Sequence, residues 1–203
     1  MDLGRLLLRL TIGTTFFVHG TQKLRGWFGG YGPDGTGQFF ESLGLRPGRD
    51  HAVAAGATEA GCGVLIALGL ATPAAAAGLT SVMLTALRTA VWKDGIKPAT
   101  GEFEVLLATA ALALAETGPG RPSLDSALGL ERSGPGWALA ALGAGAAGSM
   151  IVLSRTESTP ADADSAAAAC PAPPQRSSVS SDTGRLQQTR IRPSGGGSSG
   201  SGS

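Results

Sequence analysis

Apolar residues in this chain fall into five blocks, separated by short polar or glycine-rich stretches. The first runs from about Leu3 to Val18 and is broken near its start by Arg5 and Arg9. The next three cover about Ala52 to Ala71, Ala74 to Val91 and Gly101 to Glu116. The fifth, Trp137 to Leu153, is seventeen residues long and free of charge. Crossing a bilayer as a helix takes about twenty mostly apolar residues, with a range of about 17–25. The blocks therefore predict an all-α integral membrane helix bundle, a four-helix core plus a fifth helix. A soluble bundle with so few charged faces would have no solvated surface.

Punctuation between the blocks follows from backbone chemistry. Thr72-Pro73 predicts a tight turn, because proline ends a helix and restricts the residue before it. Gly118-Pro119-Gly120 stops the fourth helix. A longer connection, about Gly20 to Asp50, reads as a loop rich in glycine and aromatics. Its Trp27, Phe28 and Tyr31 suit the level of a membrane interface, and Pro33-Asp34-Gly35 reads as a turn. That stretch has neither the preceding strand nor the lysine of a phosphate-binding loop. No A-x-A cleavage site follows the first block, which is expected to remain as a helix rather than leave as a signal peptide.

Composition changes abruptly after Arg155, where bulky hydrophobes almost vanish. A segment of that kind cannot bury enough apolar surface to offset its ordering entropy, so a disordered tail is expected. The expected organisation is a membrane core over 1–128, a fifth helix within 129–154 and the tail over 155–203. The Gly/Ser run that closes the tail has linker composition. In the remainder, the 32 Gly and abundant Ala suit helices packed closely in lipid. A net charge of +1, with no basic stripe, argues against nucleic acid as a partner. Cys62 and Cys170 lie too far apart for a CxxC or zinc spacing, which removes a disulfide framework, a dithiol centre and a metal site from the expectations.

The ionisable residues change the picture most. His19, Glu59, Arg88, Glu102 and Glu104 interrupt or flank the apolar blocks. A charge in hydrocarbon costs several kcal/mol unless it is paired or faces a polar cavity. Let the side of the long first connection be side B and the other side A. The first helix ends at B with His19, and the second returns from B with Glu59 about 10 Å deep at about 1.5 Å per residue. The third delivers Arg88 near B, and the fourth starts there with Glu102 and Glu104. All five converge on side B, with Arg88 as the expected cationic partner of Glu59 or Glu104. Cys62 shares a helical face with Glu59 and reads as a small buried apolar residue. Lys and Arg are more numerous on side B, which the positive-inside rule makes cytoplasmic.

Several separated motifs together resemble the DoxX family. They are His19-Gly20, Gln22-Lys23-Leu24, Gly26-Trp27-Phe28-Gly29-Gly30, Gly35-Thr36 and Phe39-Phe40 in the first part of the chain. Glu59 opens a Glu-x-x-x-Gly, Leu68-Gly69-Leu70-x-Thr72-Pro73 follows, and Gly118-Pro119-Gly120-Arg121-Pro122-Ser123-Leu124-Asp125 closes the pattern. The resemblance spans about Leu3 to Leu128. It implies a small integral membrane protein with a four-helix core, associated with quinone-linked sulfur-compound oxidation or membrane-bound oxidative-stress complexes.

The leading expectation is thus a subunit or accessory of a membrane redox complex in the plasma membrane. The residues leave the cofactor open, with quinone as the candidate; the bilayer, redox proteins and further copies of the chain are the expected partners. No haem ligand pair, flavin fingerprint or dithiol is present, so electrons must come from a partner or a bound cofactor. A small-solute transporter is the first alternative, although no inverted repeat is evident. A scaffold whose buried charges fix helix register is the second.

Overall fold

The computed structural model describes residues 2–92 and 101–157, with side chains to 156. The tail beyond, with Cys170, and the segment holding Lys93 and Lys97 lie outside the described residues. Seven α-helices are present among the described residues: α1 (Leu3–Arg25), α2 (Gly32–Ser42), α3 (Gly48–Leu68), α4 (Thr72–Ala86), α5 (Glu102–Thr117), α6 (Leu124–Leu128) and α7 (Pro135–Glu157). A π-helical turn, Leu87–Val91, continues α4. Three of these are long and apolar enough to cross a membrane: α3, α4 with its π extension, and α7. The fold is an all-α helix bundle of the membrane type.

Side chains that face away from the bundle are large and apolar, among them Leu7, Leu10, Val64, Leu106, Leu139 and Ile151. Those that face inward include many small ones, such as Ala75, Ala76, Ala111 and Ala115, around Phe16, Ile66, Leu79 and Leu114. This distribution suits lipid as the solvent. Lipid tails are as apolar as Leu, so helices associate through close packing rather than through burial of bulk hydrophobes.

Glycine sets that packing between α1 and α3. A Cβ on Gly13 would lie 2.6 Å from the Gly63 carbonyl oxygen, and one on Gly63 would lie 2.7 Å from the Phe17 nitrogen. Gly20 likewise faces the Gly56–Ala60 turn, where a Cβ would strike backbone. Gly13 and Gly20, and Gly56 and Gly63, are each two turns apart, so one seam keeps the antiparallel backbones together along their length. A second seam joins α7 to α4, with Gly145 against Thr80 and Gly148 against Ser81. Thr85 Oγ1 donates to Ser149 Oγ at 3.0 Å beside it.

The expected loop from Gly20 to Asp50 is not a loop. Helix α1 continues to Arg25, α2 occupies the middle, and α3 starts at Gly48. Gly20 is tolerated inside α1 because its missing side chain is what lets α3 approach. Pro33 opens α2 rather than making a turn, with Asp34 in the first helical turn. Proline lacks only a hydrogen that a first-turn residue would leave unpaired anyway. Glu41 on α2 then caps α3, its Oε1 accepting from the Gly48 nitrogen at 3.1 Å.

Side A is closed by the two motifs around residues 69–73 and 118–125. Asp125 is buried, and its carboxylate accepts from the Ala71 nitrogen at 2.9 Å and from the Thr72 nitrogen and hydroxyl at 3.2 Å each. It caps α4 from 53 residues away, satisfying donors that a helix start leaves unpaired. Arg9, also buried, donates to the Pro119 carbonyl at 3.0 Å and the Pro122 carbonyl at 2.6 Å. Pro73 accordingly starts α4 as well as ending the preceding turn.

Candidate functional site

Side B, by contrast, encloses a cavity. A cavity of about 620 Å³ lies between α1, α2, α3, α4, α5 and α7. Most of its wall is apolar, from Phe16, Phe39, Phe40, Leu45, Val82, Met83 and Leu107. Its polar groups are His19 and Lys23 from α1, His51, Thr58 and Glu59 from α3, Ser81, Thr85 and Thr89 from the α4 arm, and Glu104 from α5. The size falls within the usual range for small-molecule sites, roughly 300–1,000 Å³.

The central feature is an ion pair: Lys23 Nζ lies 2.6 Å from Glu59 Oε2. The Glu59 side chain is 2% exposed and that of Lys23 is 20% exposed. Lys23 also donates to the His19 carbonyl at 3.4 Å. The glycine seam explains why these two residues meet. Lys23 follows Gly20 by three positions, and Glu59 follows Gly56 by three, so each shares the face of its glycine. The register of the seam puts Glu59 level with His19 and Lys23 about one turn nearer side B, a rise of about 6 Å. Helical side chains lean toward their own N-terminus. In antiparallel helices that lean brings Lys23 and Glu59 toward each other.

Arg88 is not the partner of Glu59. It is exposed on the π turn and does not line the cavity. Sequence threading misses Lys23 because it ends α1 near Val18 and leaves Lys23 in a loop. The signal that finds it is the matched pair Gly20-x-x-Lys23 and Gly56-x-x-Glu59. Glu59 also sits deeper than expected, because α3 begins four residues before Ala52. Glu104 lines the cavity, whereas Glu102 is exposed and points elsewhere. His19 packs on Phe103 of α5, with ring centroids 6.1 Å apart. That contact closes the side of the cavity between α1 and α5.

The aromatic residues expected at the site lie outside the main cavity. Trp27 and Phe28 belong to a short 3-10 turn and are exposed, with Arg25 5.7 Å above the Trp27 ring. Tyr31 is 85% exposed and lines a second cavity of about 790 Å³ with Gln22, Thr36 and Gln38. Phe39 and Phe40 of α2 take the place of the expected aromatic wall. Lys23, Phe39 and Phe40 line both cavities. Cys62 lines neither cavity, and its sulfur packs over Gly78 in the wall of the main one.

Comparison with known proteins places the chain in a family. The family model described as DoxX matches residues 4–92. The chain is also 36% identical over 124 residues to "Putative oxidoreductase CatD" of Bacillus subtilis (strain 168), covering 61% of this chain and 86% of that relative. The chain belongs to the DoxX family. No solved structure matches it significantly. This DoxX protein is an integral membrane protein, and the family match takes in α1 to the π turn. His19, Lys23 and Glu59 therefore lie inside the matched region, while Glu102 and Glu104 of α5 lie beyond it.

Proposed function

We propose that this DoxX protein is the membrane subunit of a redox complex and that its side-B cavity holds a quinone. The observation that carries the reading is an apolar cavity of about 620 Å³ whose wall holds the Lys23–Glu59 pair. The similarity to a relative named as an oxidoreductase supports it. The residues fit such a ligand. Phe39, Phe40, Val82 and Leu107 would pack an apolar ring and chain, and Lys23 and His19 offer polar groups at the α1 wall. Bound there, quinone would supply the electron-accepting chemistry that the side chains lack. The chain's own part is to hold the ligand, keep bulk water from it and manage charge at Glu59.

Electrons come from a partner protein in this reading. The reading places the chain in the plasma membrane, and the concentration of Lys23, Arg25, Arg46 and Arg49 at side B supports an orientation with the α2–α3 connection on the cytoplasmic side. The test is a purified preparation assayed for reduction of a soluble quinone analogue, with and without its co-purifying proteins. Activity with partners and quinone binding without them is the expected result. Inactivity in both states, with no bound quinone, overturns the reading. A scaffold role for the Lys23–Glu59 pair predicts instead that Glu59→Gln lowers abundance and affects no separate activity.

A further inference from the structure

Lys23 occupies an unusual place, on the partition between two cavities. On one side lies the space bounded by Gln22, Tyr31, Thr36 and Gln38, of which Tyr31 and Gln38 are exposed at side B. On the other lies the apolar cavity reached by Glu59. The Lys23 ammonium touches the Glu59 carboxylate at 2.6 Å, while the carboxylate itself is almost closed to solvent. We propose that Lys23 and Glu59 form a proton relay from water at side B to the ligand held in the main cavity. The proposal deepens the redox reading, on which its ligand rests, and adds the route by which protons enter.

The step is a pair of proton transfers with no change of electrons in the side chains. The Lys23 N–H bond breaks and the proton passes to Glu59, leaving a neutral amine and a carboxylic acid. Glu59 then gives that proton to an acceptor oxygen in the main cavity and returns to carboxylate. Lys23 takes a replacement from hydronium in the side-B cavity. One proton moves from side B to the ligand in each cycle. Direct exchange would hydrate the apolar cavity, and the relay avoids this by letting charge move between two atoms already in contact. Other titratable groups face the same cavity: His19 from α1, His51 from α3 and Glu104 from α5. Among the described residues, α2, α4 and α7 contribute none to its lining. His51 lies toward the rim, its Nε2 3.3 Å from the Arg46 carbonyl oxygen. Among the described residues none of the three forms a hydrogen bond or ion pair with Glu59, as Lys23 does, so Lys23 is the group that hands over the proton.

The test uses the full chain in membrane vesicles of opposite orientation prepared from the same cells. Dicyclohexylcarbodiimide enters from the lipid and reacts only with a protonated carboxyl, and mass spectrometry locates the adduct. Glu59→Gln confirms the assignment by removing the site. Protease access to the α2–α3 connection identifies vesicles with side B outward. In the wild type, labelling of Glu59 should follow the pH on side B, by up to about tenfold per pH unit, and ignore the pH on side A. Lys23→Arg keeps the charge but cannot release a proton, so it should lose the side-B response. A response to side A, no response to either side, or a Lys23→Arg protein that follows side B like the wild type overturns the relay. The wild-type sidedness decides the question even if the variant folds poorly. Decylubiquinone should slow the labelling. If it does not while the side-B response stands, quinone is the wrong ligand and the relay survives.

Discussion

Replacing Gly20 by alanine tests the account of how Lys23 and Glu59 are brought together. The added Cβ would sit 2.6 Å from the Gly56 carbonyl oxygen, where ordinary contact begins at 3.4 Å, a shortfall of 0.8 Å. The obstacle is backbone on α3, including the Ala60 nitrogen, so no side-chain rotation relieves it. The Ala60 nitrogen lies nearer still, so the helices must part by more than that amount, and overpacking of this kind costs about 1–3 kcal/mol. For a chain of this size each kcal/mol moves the melting temperature by about 2–4 °C. A fall of several degrees is expected in a thermal melt in detergent. The same separation stretches the 2.6 Å ion pair, so carbodiimide labelling of Glu59 should rise and its dependence on side-B pH should weaken. Gly61→Ala is the control, because a Cβ there meets nothing within 4 Å. It should be neutral or stabilise by up to about 1 kcal/mol, since alanine orders more cheaply in a helix. A Gly20→Ala protein as stable as Gly61→Ala, with unchanged labelling, would refute the seam as the device that positions the pair.

Three further outcomes are expected. Asp125→Ala removes the acceptor of three hydrogen bonds at the start of α4 and leaves the two buried Thr72 donors unpaired at about 1–3 kcal/mol each. It should lower the melting temperature far more than Glu131→Ala, whose partner Arg121 is exposed and 3.9 Å away; equal losses would show that the cap contributes nothing. Thr80→Val should hold or raise stability by about 1 kcal/mol, because the buried Thr80 hydroxyl has no hydrogen-bond partner among the described residues. A clear loss in the melt would show that a polar group faces it. Arg88→Ala should leave both stability, within about 0.5 kcal/mol, and Glu59 labelling unchanged, and a large change in either would reinstate Arg88 at the site.

The long apolar helices, though not α2 or α6, and the residue worth examining first are readable from the chain because both rest on local or solvent-level physics. The five apolar blocks predict α1, α3, α4, α5 and α7 whatever their neighbours do, and among the described residues α3, α4 and α7 are the ones long and apolar enough to span. Glu59 stands out because a carboxylate in such a block is costly wherever it points. Its partner was not readable in the same way. Choosing Lys23 over Arg88 required knowing that α1 runs past Gly20, and Gly20 is a poor helix former except where another backbone needs its space. That need exists only once α3 lies against α1. The same holds for Asp125, a nondescript loop carboxylate until folding carries it to the start of α4. Sequence by itself therefore determined an all-α membrane bundle and a charge buried in it. The tertiary structure decided which cation answers that charge, because the pairing depends on the register between two antiparallel helices, and that register is set by glycines whose role is visible only across the contact.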